Sequence, residues 1–261
     1  MRQSHILVTN DDGIDSPGLL ALKQALLSAG RVSVIAPDHN WSAAGHSKTM
    51  HKPLRINRVR LADGYYAYST DGAPSDCVAV AILGFLPEKP DLVVSGINKG
   101  SNMGDDITYS GTVAAAMEGI IWGCPSMAVS LDNYLPDDPE ANNFHIAGRI
   151  AARLAPHLLA PDWDHTTLLN VNVPNLPEEE IKGLEITRLG QRGYQDELVE
   201  RTDPFGRHYY WIGGGKPTRV NRRGTDIHAI AQGEISITPI HLDLTNRRLI
   251  KSLKEWQVDW R

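Results

Sequence analysis

Residues 5–18 read HILVTNDDGIDSPG, and this stretch indicates an α/β fold. The apolar run from His5 to Thr9 predicts a short buried strand, which ends at the turn-forming residues Asn10 to Gly13. Pro17 after Ser16 predicts the first position of a helix, and leucines follow it at helical spacing. A buried strand followed directly by a helix is typical of a parallel sheet that is covered by helices.

The same alternation of strands and helices continues along the chain. Further strands are predicted at Val32 to Ala36, Asp91 to Ser95, Met127 to Ser130, Thr167 to Val173 and Glu234 to Ile240. Further helices are predicted at Ala73 to Gly84, Gly111 to Gly123, Asn143 to Leu159 and Leu244 to Trp256. Hairpins are predicted at Pro53 to Tyr68 and, longer and projecting from the body, at Arg192 to Arg223. We therefore expect a Rossmann-like three-layer α/β sandwich with a hairpin arm.

Composition and charge restrict the function. The chain has 261 residues, of which 41% are hydrophobic, and a formal net charge of −5. A protein this acidic is not expected to bind a nucleic-acid polymer, although it can bind phosphate in one small pocket. Cys77 and Cys124 lie in apolar contexts and are expected to be buried thiols. No signal peptide or membrane span is apparent, so we expect a cytoplasmic protein without membrane contact.

Polar residues follow three of the predicted strands. Asp11 and Asp12 come after the first strand, Ser42 after the second and Asn98 after the strand that ends at Ser95. In open α/β sheets, ligands bind at the carboxyl ends of the strands. Adjacent carboxylates repel each other unless a cation neutralises them, and these four residues offer only hard oxygen donors. The pattern predicts a divalent-cation site for Mg²⁺ or Mn²⁺. The alternative is that the aspartates only form a turn.

A second candidate site lies at the start of the helix predicted at Gly111 to Gly123. Ser110, Gly111 and Thr112 would place hydroxyl groups and unpaired backbone N–H groups at the positive end of the helix dipole, which favours an anion. We predict that these three residues bind phosphate opposite the metal. The alternative is that Ser110 is an ordinary N-cap residue.

Other catalytic classes lack their motifs. The chain has no GxGxxG after the first strand, no P-loop and no GxSxG. His39, His46 and His51 lie near Ser42 in sequence, and one of them could assist proton transfer, although a structural or surface role is the commoner outcome for a histidine. Trp41 could stack on a base or only pack.

Several stretches together resemble a known family. They are ILVTNDDGIDSPG at 6–18, APDHNWSAAG at 36–45, VSGINKGSNMGDD at 94–106, the helix start at 110–119, TD at 225–226 and GEISITP at 233–239. In this order they resemble the survival protein SurE family of metal-dependent 5′-nucleotidases. The resemblance covers nearly the whole chain. His39 and Trp41 stand where many members carry arginines, which leaves the substrate preference open.

The resemblance implies one SurE-like phosphatase domain over residues 1–261 that hydrolyses nucleoside monophosphates. It places one divalent metal cation on Asp11, Asp12, Ser42 and Asn98, the same four residues. It also implies a homodimer or homotetramer formed by arm exchange, with the hairpin 192–223 and a C-terminal arm 224–261 as the exchanged parts.

The expected mechanism is in-line attack of a metal-activated water on the phosphate. Asp12 is the predicted residue that orients or deprotonates that water. A covalent aspartyl-phosphate at Asp11 is the less favoured route, because adjacent aspartates differ from the Asp-x-Asp arrangement of aspartyl-phosphate phosphatases. A nucleotide- or phosphate-sensing module without turnover is the alternative function.

Overall fold

The computed structural model of the chain describes residues 2–133, 135, 137–138, 141–193, 196–214 and 218–258. The strands in these ranges are β1 (His5–Thr9), β2 (Arg31–Pro37), β3 (Ile56–Arg60), β4 (Tyr66–Thr70), β5 (Leu92–Lys99), β6 (Ser126–Leu131), β7 (Thr167–Val173), β8 (Leu184–Ile186), β9 (Arg192–Gly193), β10 (Asp196–Thr202), β11 (His208–Gly214), β12 (Thr218–Arg219) and β13 (Ile235–His241). The α-helices are α1 (Pro17–Leu26), α2 (Pro74–Val80), α3 (Gly111–Ile121), α4 (Phe144–Leu158), α5 (Asp226–Ala231) and α6 (Arg247–Leu253).

Nine of the described strands form one sheet in the order β3-β4-β2-β1-β5-β6-β7-β13-β8. From β2 across β1, β5 and β6 to β7 every pairing is parallel, as the alternating sequence pattern predicts. The neighbouring pair β7 and β13 is antiparallel. Because β1 lies between β2 and β5, the carboxyl ends of these three strands meet at one edge.

Helices cover both faces of the sheet, which confirms the predicted three-layer fold. Side chains in β1 alternate between the two faces, as a pleated strand requires. Ile6 and Val8 belong to the core beneath α1 and α4, whereas Leu7 belongs to the core beneath α2 and α3. Cys77 and Cys124 are both free thiols buried in this second core, as predicted, and burial raises the pKa of the Cys124 thiol to about 12.

Several predicted boundaries shift. The helix predicted to end at Gly84 leaves α-helical geometry after Val80 and continues as a π-helical turn, in which Gly84 takes a φ of 120°. That conformation is open mainly to glycine. The C-terminal helix begins only at Arg247, because the Asn246 side chain accepts a hydrogen bond from the Leu249 N–H and caps the helix there.

The first predicted hairpin, β3 and β4, is antiparallel and extends the main sheet through β2. An ion pair between a buried lysine and a surface aspartate holds it against α1. The Lys23 side chain is 2% exposed, its ammonium pairs with the Asp63 carboxylate and lies 4.1 Å from the centre of the Tyr65 ring. This pair docks the hairpin turn onto the helix.

The second predicted hairpin contains the antiparallel pair β10 and β11, and β9 pairs with β12 at its base. Its apolar side chains are strongly exposed, including Leu198, Trp211 and Ile212. In the described part of the chain, no helix combines the length and apolar character that crossing a membrane requires.

Candidate metal and phosphate site

Three of the four predicted metal ligands line one pocket on the carboxyl edge of the sheet, whereas Asp12, next to Asp11 in the chain, is not among the lining residues. Asp11, Ser42, Asn98 and Ser110 all line this cavity of about 640 Å³. Asp11 follows β1, Ser42 lies in the loop after β2, and Asn98 lies near the end of β5, so the central position of β1 brings the three together. The loop after β2 is held against the first strand because the Trp41 N–H donates to the Asp11 carbonyl oxygen at 2.8 Å.

Asp11 is held by the start of α3. Its side chain is 4% exposed, and the Thr112 hydroxyl donates to Asp11 Oδ1 at 2.5 Å. A Cβ at Gly111 would stand 2.7 Å from the Asp11 Cβ, so any larger residue would force Asp11 or the start of α3 to shift. Burial raises the pKa of Asp11 to about 6, and the charge of Asp12 adds to that rise, while the Thr112 hydroxyl opposes it. A buried carboxylate with a raised pKa is a group that a bound cation would stabilise.

Asp12 is half-buried next to Asp11. The Lys99 backbone N–H donates to Asp12 Oδ2 at 3.2 Å, which links this carboxylate to the end of β5. Burial raises the pKa of Asp12, and the nearby charge of Lys99 and the hydrogen bond from its N–H partly offset that rise. A partly exposed carboxylate with a raised pKa suits proton transfer to or from a water molecule.

Ser42 and Asn98 complete the predicted ligand set. The Ser42 hydroxyl donates to Asn40 Oδ1 at 2.6 Å, which directs its proton away and leaves the oxygen lone pairs for a cation. The Asn98 side-chain NH₂ donates to the Gly100 carbonyl at 2.8 Å, so Oδ1 is the atom that the amide offers to a ligand.

The donor chemistry of these residues fits a hard divalent cation. All four side chains present oxygen, and two of them are carboxylates. In the ranges that the structure describes, no group of three or more His, Cys, Asp or Glu side chains is arranged to hold a metal. Within the same ranges, no lysine or arginine forms an ion pair with Asp11. The pocket therefore has oxygen groups that suit a cation, and its buried carboxylate forms no ion pair with a lysine or arginine of the described chain.

The three residues predicted to bind phosphate open α3 as expected, but their side chains differ in what they contact. The Ser110 hydroxyl caps the helix by accepting the Val113 N–H at 3.1 Å, and Ser110 also lines the pocket. Its hydroxyl proton remains to be donated to a ligand. The Thr112 side chain is fully buried and binds Asp11 instead. Gly111 packs directly on the Asp11 side chain.

The predicted histidines are placed differently. His46 Nε2 lies 3.0 Å from Glu118 Oε2, and the same buried carboxylate accepts Lys48 Nζ at 2.8 Å and Trp122 Nε1 at 2.7 Å. Burial alone would raise the pKa of Glu118, but these three hydrogen bonds outweigh it and lower the pKa to about 2. His46 therefore has a structural contact, and it docks the loop after β2 onto α3. His39 Nδ1 lies 2.5 Å from Asp38 Oδ1 on the surface.

Two apolar residues at the pocket have no predicted role in the sequence. Tyr109 directly precedes the phosphate motif, and Ile212 comes from β11 of the long hairpin. Both side chains are exposed, with Ile212 at 84%. No local pattern in the sequence connects Ile212 with a loop a hundred residues earlier, so only the fold reveals this contact.

Comparisons with known proteins agree with this architecture. The family model for the survival protein SurE matches residues 6–196. A protein of Herpetosiphon aurantiacus named 5′-nucleotidase SurE is 50% identical over 250 residues, which cover 95% of this chain and 96% of that protein. A protein of Geobacter sulfurreducens with the same name is 47% identical and covers 97% of this chain and 94% of its own length.

A solved structure is similar over nearly the whole chain. The crystal structure of the SurE protein from Aquifex aeolicus has 43% sequence identity and a TM-score of 0.81, covering 96% of this chain and 98% of its own. The fold, the strand-end pocket and the extent of these matches lead to one assignment: this chain belongs to the survival protein SurE family.

Proposed function

We propose that this chain hydrolyses nucleoside 5′-monophosphates to nucleoside and phosphate in the strand-end pocket, with one divalent cation held by Asp11, Asp12, Ser42 and Asn98. The observation that carries the proposal is the buried Asp11, which lines one pocket together with Ser42 and Asn98 from two neighbouring strand ends. The relatives named 5′-nucleotidase, at about half identity over almost the whole chain, support a phosphomonoesterase. Oxygen ligands favour Mg²⁺ or Mn²⁺.

Each residue of the proposed site has a separate role in the reaction. A bound cation would supply Lewis-acid chemistry, lowering the pKa of a water molecule and neutralising phosphate charge. Asp12 orients the attacking water and accepts its proton, since it is the less buried of the two carboxylates. The Ser110 hydroxyl and the N-terminus of α3 hold the phosphoryl oxygens as their charge shifts in the transition state. Thr112 contributes through its hold on Asp11.

The covalent route through Asp11 is less suited to this geometry. Asp11 is 4% exposed, and its Oδ1 accepts the Thr112 hydroxyl at 2.5 Å. In-line attack needs a nucleophile with open access to phosphorus. Asp11 is therefore assigned to the cation, and water is the nucleophile.

The nucleoside part of the substrate is assigned to the apolar side of the pocket. Tyr109 and Ile212 offer an exposed aromatic ring and an exposed aliphatic side chain beside Ser110. Aromatic rings stack on any nucleobase, so this side gives affinity with little preference between bases. Nucleoside 3′-monophosphates and short polyphosphate are further substrates to be tested at the same pocket.

The decisive experiment is phosphate release from a panel of nucleoside monophosphates with Mg²⁺, Mn²⁺ or a chelator. We expect cation-dependent release that is lost in Asp11→Asn and strongly reduced in Asn98→Ala. Asp15→Asn is the matched control, because Asp15 follows the same strand but is exposed and does not line the pocket. A wild-type protein that binds nucleotides but releases no phosphate with any cation would support the sensing alternative.

We also propose, as part of this function, a homodimer or homotetramer formed through the hairpin 192–223 and the C-terminal arm 224–261. The support is the exposed apolar side chains of the hairpin, such as Leu198 and Trp211, and of the last part of the arm, such as Leu249 and Trp256. The first part of the arm belongs to the body, because β13 lies within the main sheet, so the exposed part of the arm begins after His241. Sedimentation velocity tests it. Leu198→Asp together with Trp211→Asp should shift the protein to monomer, and an unchanged sedimentation coefficient contradicts arm exchange.

A further inference from the structure

A buried cluster of amide side chains lies beneath the loop that follows Asn98. Asn170 and Asn172 stand two residues apart on β7, both fully buried. Both donate their side-chain NH₂ to the Asn102 carbonyl oxygen, at 2.8 and 3.0 Å, and Asn172 Oδ1 accepts the Asn102 backbone N–H at 2.8 Å. The Asn102 side chain in turn donates to Ser130 Oγ on β6 at 2.8 Å. We call these four residues the amide clamp.

The register of the sheet places the clamp next to the candidate metal site. Asn98 on β5 pairs with Ser130 on β6, and Ser130 pairs with Asn172 on β7. The chain leaves the sheet at Lys99, the last residue of β5, and returns over the neighbouring strands, where the clamp holds Asn102. Residues 99–102 therefore form a short loop that is fixed to the sheet at both ends, with a further bond from the Gly100 N–H to the Leu131 carbonyl at 2.9 Å.

This loop makes much of the pocket wall. Lys99, Ser101 and Asn102 line the cavity, and the Lys99 N–H binds Asp12. The next turn is held separately, because the Gly104 N–H donates to Asp226 Oδ2 at 2.8 Å. A displacement of Asn102 would therefore disturb the proposed cation site in two ways. It would shift Asn98 at the start of the loop, and it would weaken the hydrogen bond from the Lys99 N–H to the Asp12 carboxylate.

The energetics of the clamp also indicate a purpose beyond packing. Polar side chains in the buried interior of a sheet are costly unless they are hydrogen-bonded. In the described structure, Asn170 Oδ1 has no hydrogen-bond partner, so an aliphatic residue would avoid a penalty at this position. What the asparagine provides in exchange is the hydrogen bond to the loop.

We propose that Asn170 and Asn172 are positioning residues that raise the divalent-cation affinity of the pocket by fixing loop 99–102. The inference rests on the proposed cation site. Groups that orient metal ligands from behind commonly change metal affinity by about 10- to 100-fold when they are removed. The clamp acts through Asn98 and Asp12 and touches neither the cation nor the substrate.

The test measures Mn²⁺ binding by isothermal titration calorimetry on the purified full chain. Asn172→Leu has similar volume but cannot bind the loop, and we expect its dissociation constant for Mn²⁺ to rise by about tenfold. In the metal-free Asn172→Leu variant, the backbone amide hydrogen of Asn102 should exchange faster than in the wild type, because its acceptor, Asn172 Oδ1, is lost. Ser130→Ala removes a single hydrogen bond and should weaken Mn²⁺ binding by about threefold. This milder variant decides the question if Asn172→Leu does not fold.

The matched control is Thr187→Val. The Thr187 hydroxyl is buried between the hydroxyls of Ser236 and Thr238, at 2.8 and 2.7 Å, and lies away from the pocket lining. We expect this variant to melt at a lower temperature and to keep wild-type Mn²⁺ affinity. If Asn172→Leu and Ser130→Ala both bind Mn²⁺ with wild-type affinity, the proposed role of the clamp is wrong. If Asn172→Leu does not fold, wild-type Mn²⁺ affinity in Ser130→Ala alone leads to the same conclusion. Absence of Mn²⁺ and Mg²⁺ binding in the wild type overturns the cation site itself.

Discussion

Replacing Gly111 by alanine tests the arrangement of Asp11 most directly. The added Cβ would stand 2.7 Å from the Asp11 Cβ and 3.0 Å from Oδ2, whereas ordinary contacts of this kind are 3.4–4 Å. The carboxylate must therefore move by about 0.7 Å or more, or the start of α3 must shift by a similar amount. Either movement disturbs the hydrogen bond from Thr112 to Asp11, and it displaces the carboxylate that we propose as a cation ligand.

The expected effect on stability is small and the expected effect on activity is large. Alanine is favoured over glycine in a helix by at most about 1 kcal/mol, and overpacking costs about 1–3 kcal/mol, so the net loss in the free energy of unfolding is about 0–2 kcal/mol or slightly more at this first helical position. A displacement approaching 1 Å at a catalytic group costs about 100-fold in rate. We therefore expect Gly111→Ala to fold, with kcat/KM for nucleoside monophosphates reduced by about 100-fold.

The assay is steady-state phosphate release, with unfolding in urea as the stability measurement. Gly148→Ala is the matched control, because its Cβ would meet the Ala25 Cβ at 3.0 Å where α1 and α4 pack, away from the pocket. The control should lose stability and keep its activity. A folded Gly111→Ala variant with wild-type kcat/KM would refute the placement of Asp11 against α3 as a functional constraint.

Variants at three further positions test other parts of the structure. Glu118→Gln should lower the free energy of unfolding by up to about 3 kcal/mol at pH 7, because the folded pKa of about 2 lies below the ordinary 4.5. The difference in the free energy of unfolding between Glu118→Gln and the wild type should narrow as the pH falls from 4.5 towards 2. Urea unfolding at several pH values measures it. The free energy of unfolding of Lys23→Met should stay within about 1 kcal/mol of the wild-type value, because methionine still fills the buried site. The same assay should show a loss of about 2–4 kcal/mol for Lys23→Ala, which leaves a cavity. Tyr109→Ala should raise KM about tenfold for nucleoside monophosphates but not for glycerol phosphate, which has no base to stack.

Much of the fold and the centre of the site could be predicted from local sequence. Runs such as His5–Thr9 indicate buried parallel strands, and the rule for strand ends then brings Asp11, Ser42 and Asn98 to one edge. The prediction succeeds because short crossover connections usually place consecutive parallel strands next to each other in the sheet. The roles of Asp12 in proton transfer and of Ser110 in phosphate binding remain predictions.

Other features depend on contacts between distant segments, for which no local pattern exists. The approach of Ile212 to the pocket requires the course of the whole hairpin. The sequence LLNVNV at 168–173 does place Asn170 and Asn172 on one face of a strand, which is a visible signal. It cannot show that Asn102 lies above that face, because this depends on the strand order β5-β6-β7.

The hydrogen bonds around Asp11 explain why this chain can bury a carboxylate at a strand end. Its backbone carbonyl accepts the Trp41 N–H, its side chain accepts the Thr112 hydroxyl, and its Cβ packs on Gly111. Two segments that are far apart in sequence, the loop after β2 and the start of α3, thus meet on one residue. Sites that are ordered in this way do not have to reorganise when charge develops in the transition state. The free-energy cost of burying Asp11 is offset during folding, so the proposed cation would bind to a carboxylate that is already held in position.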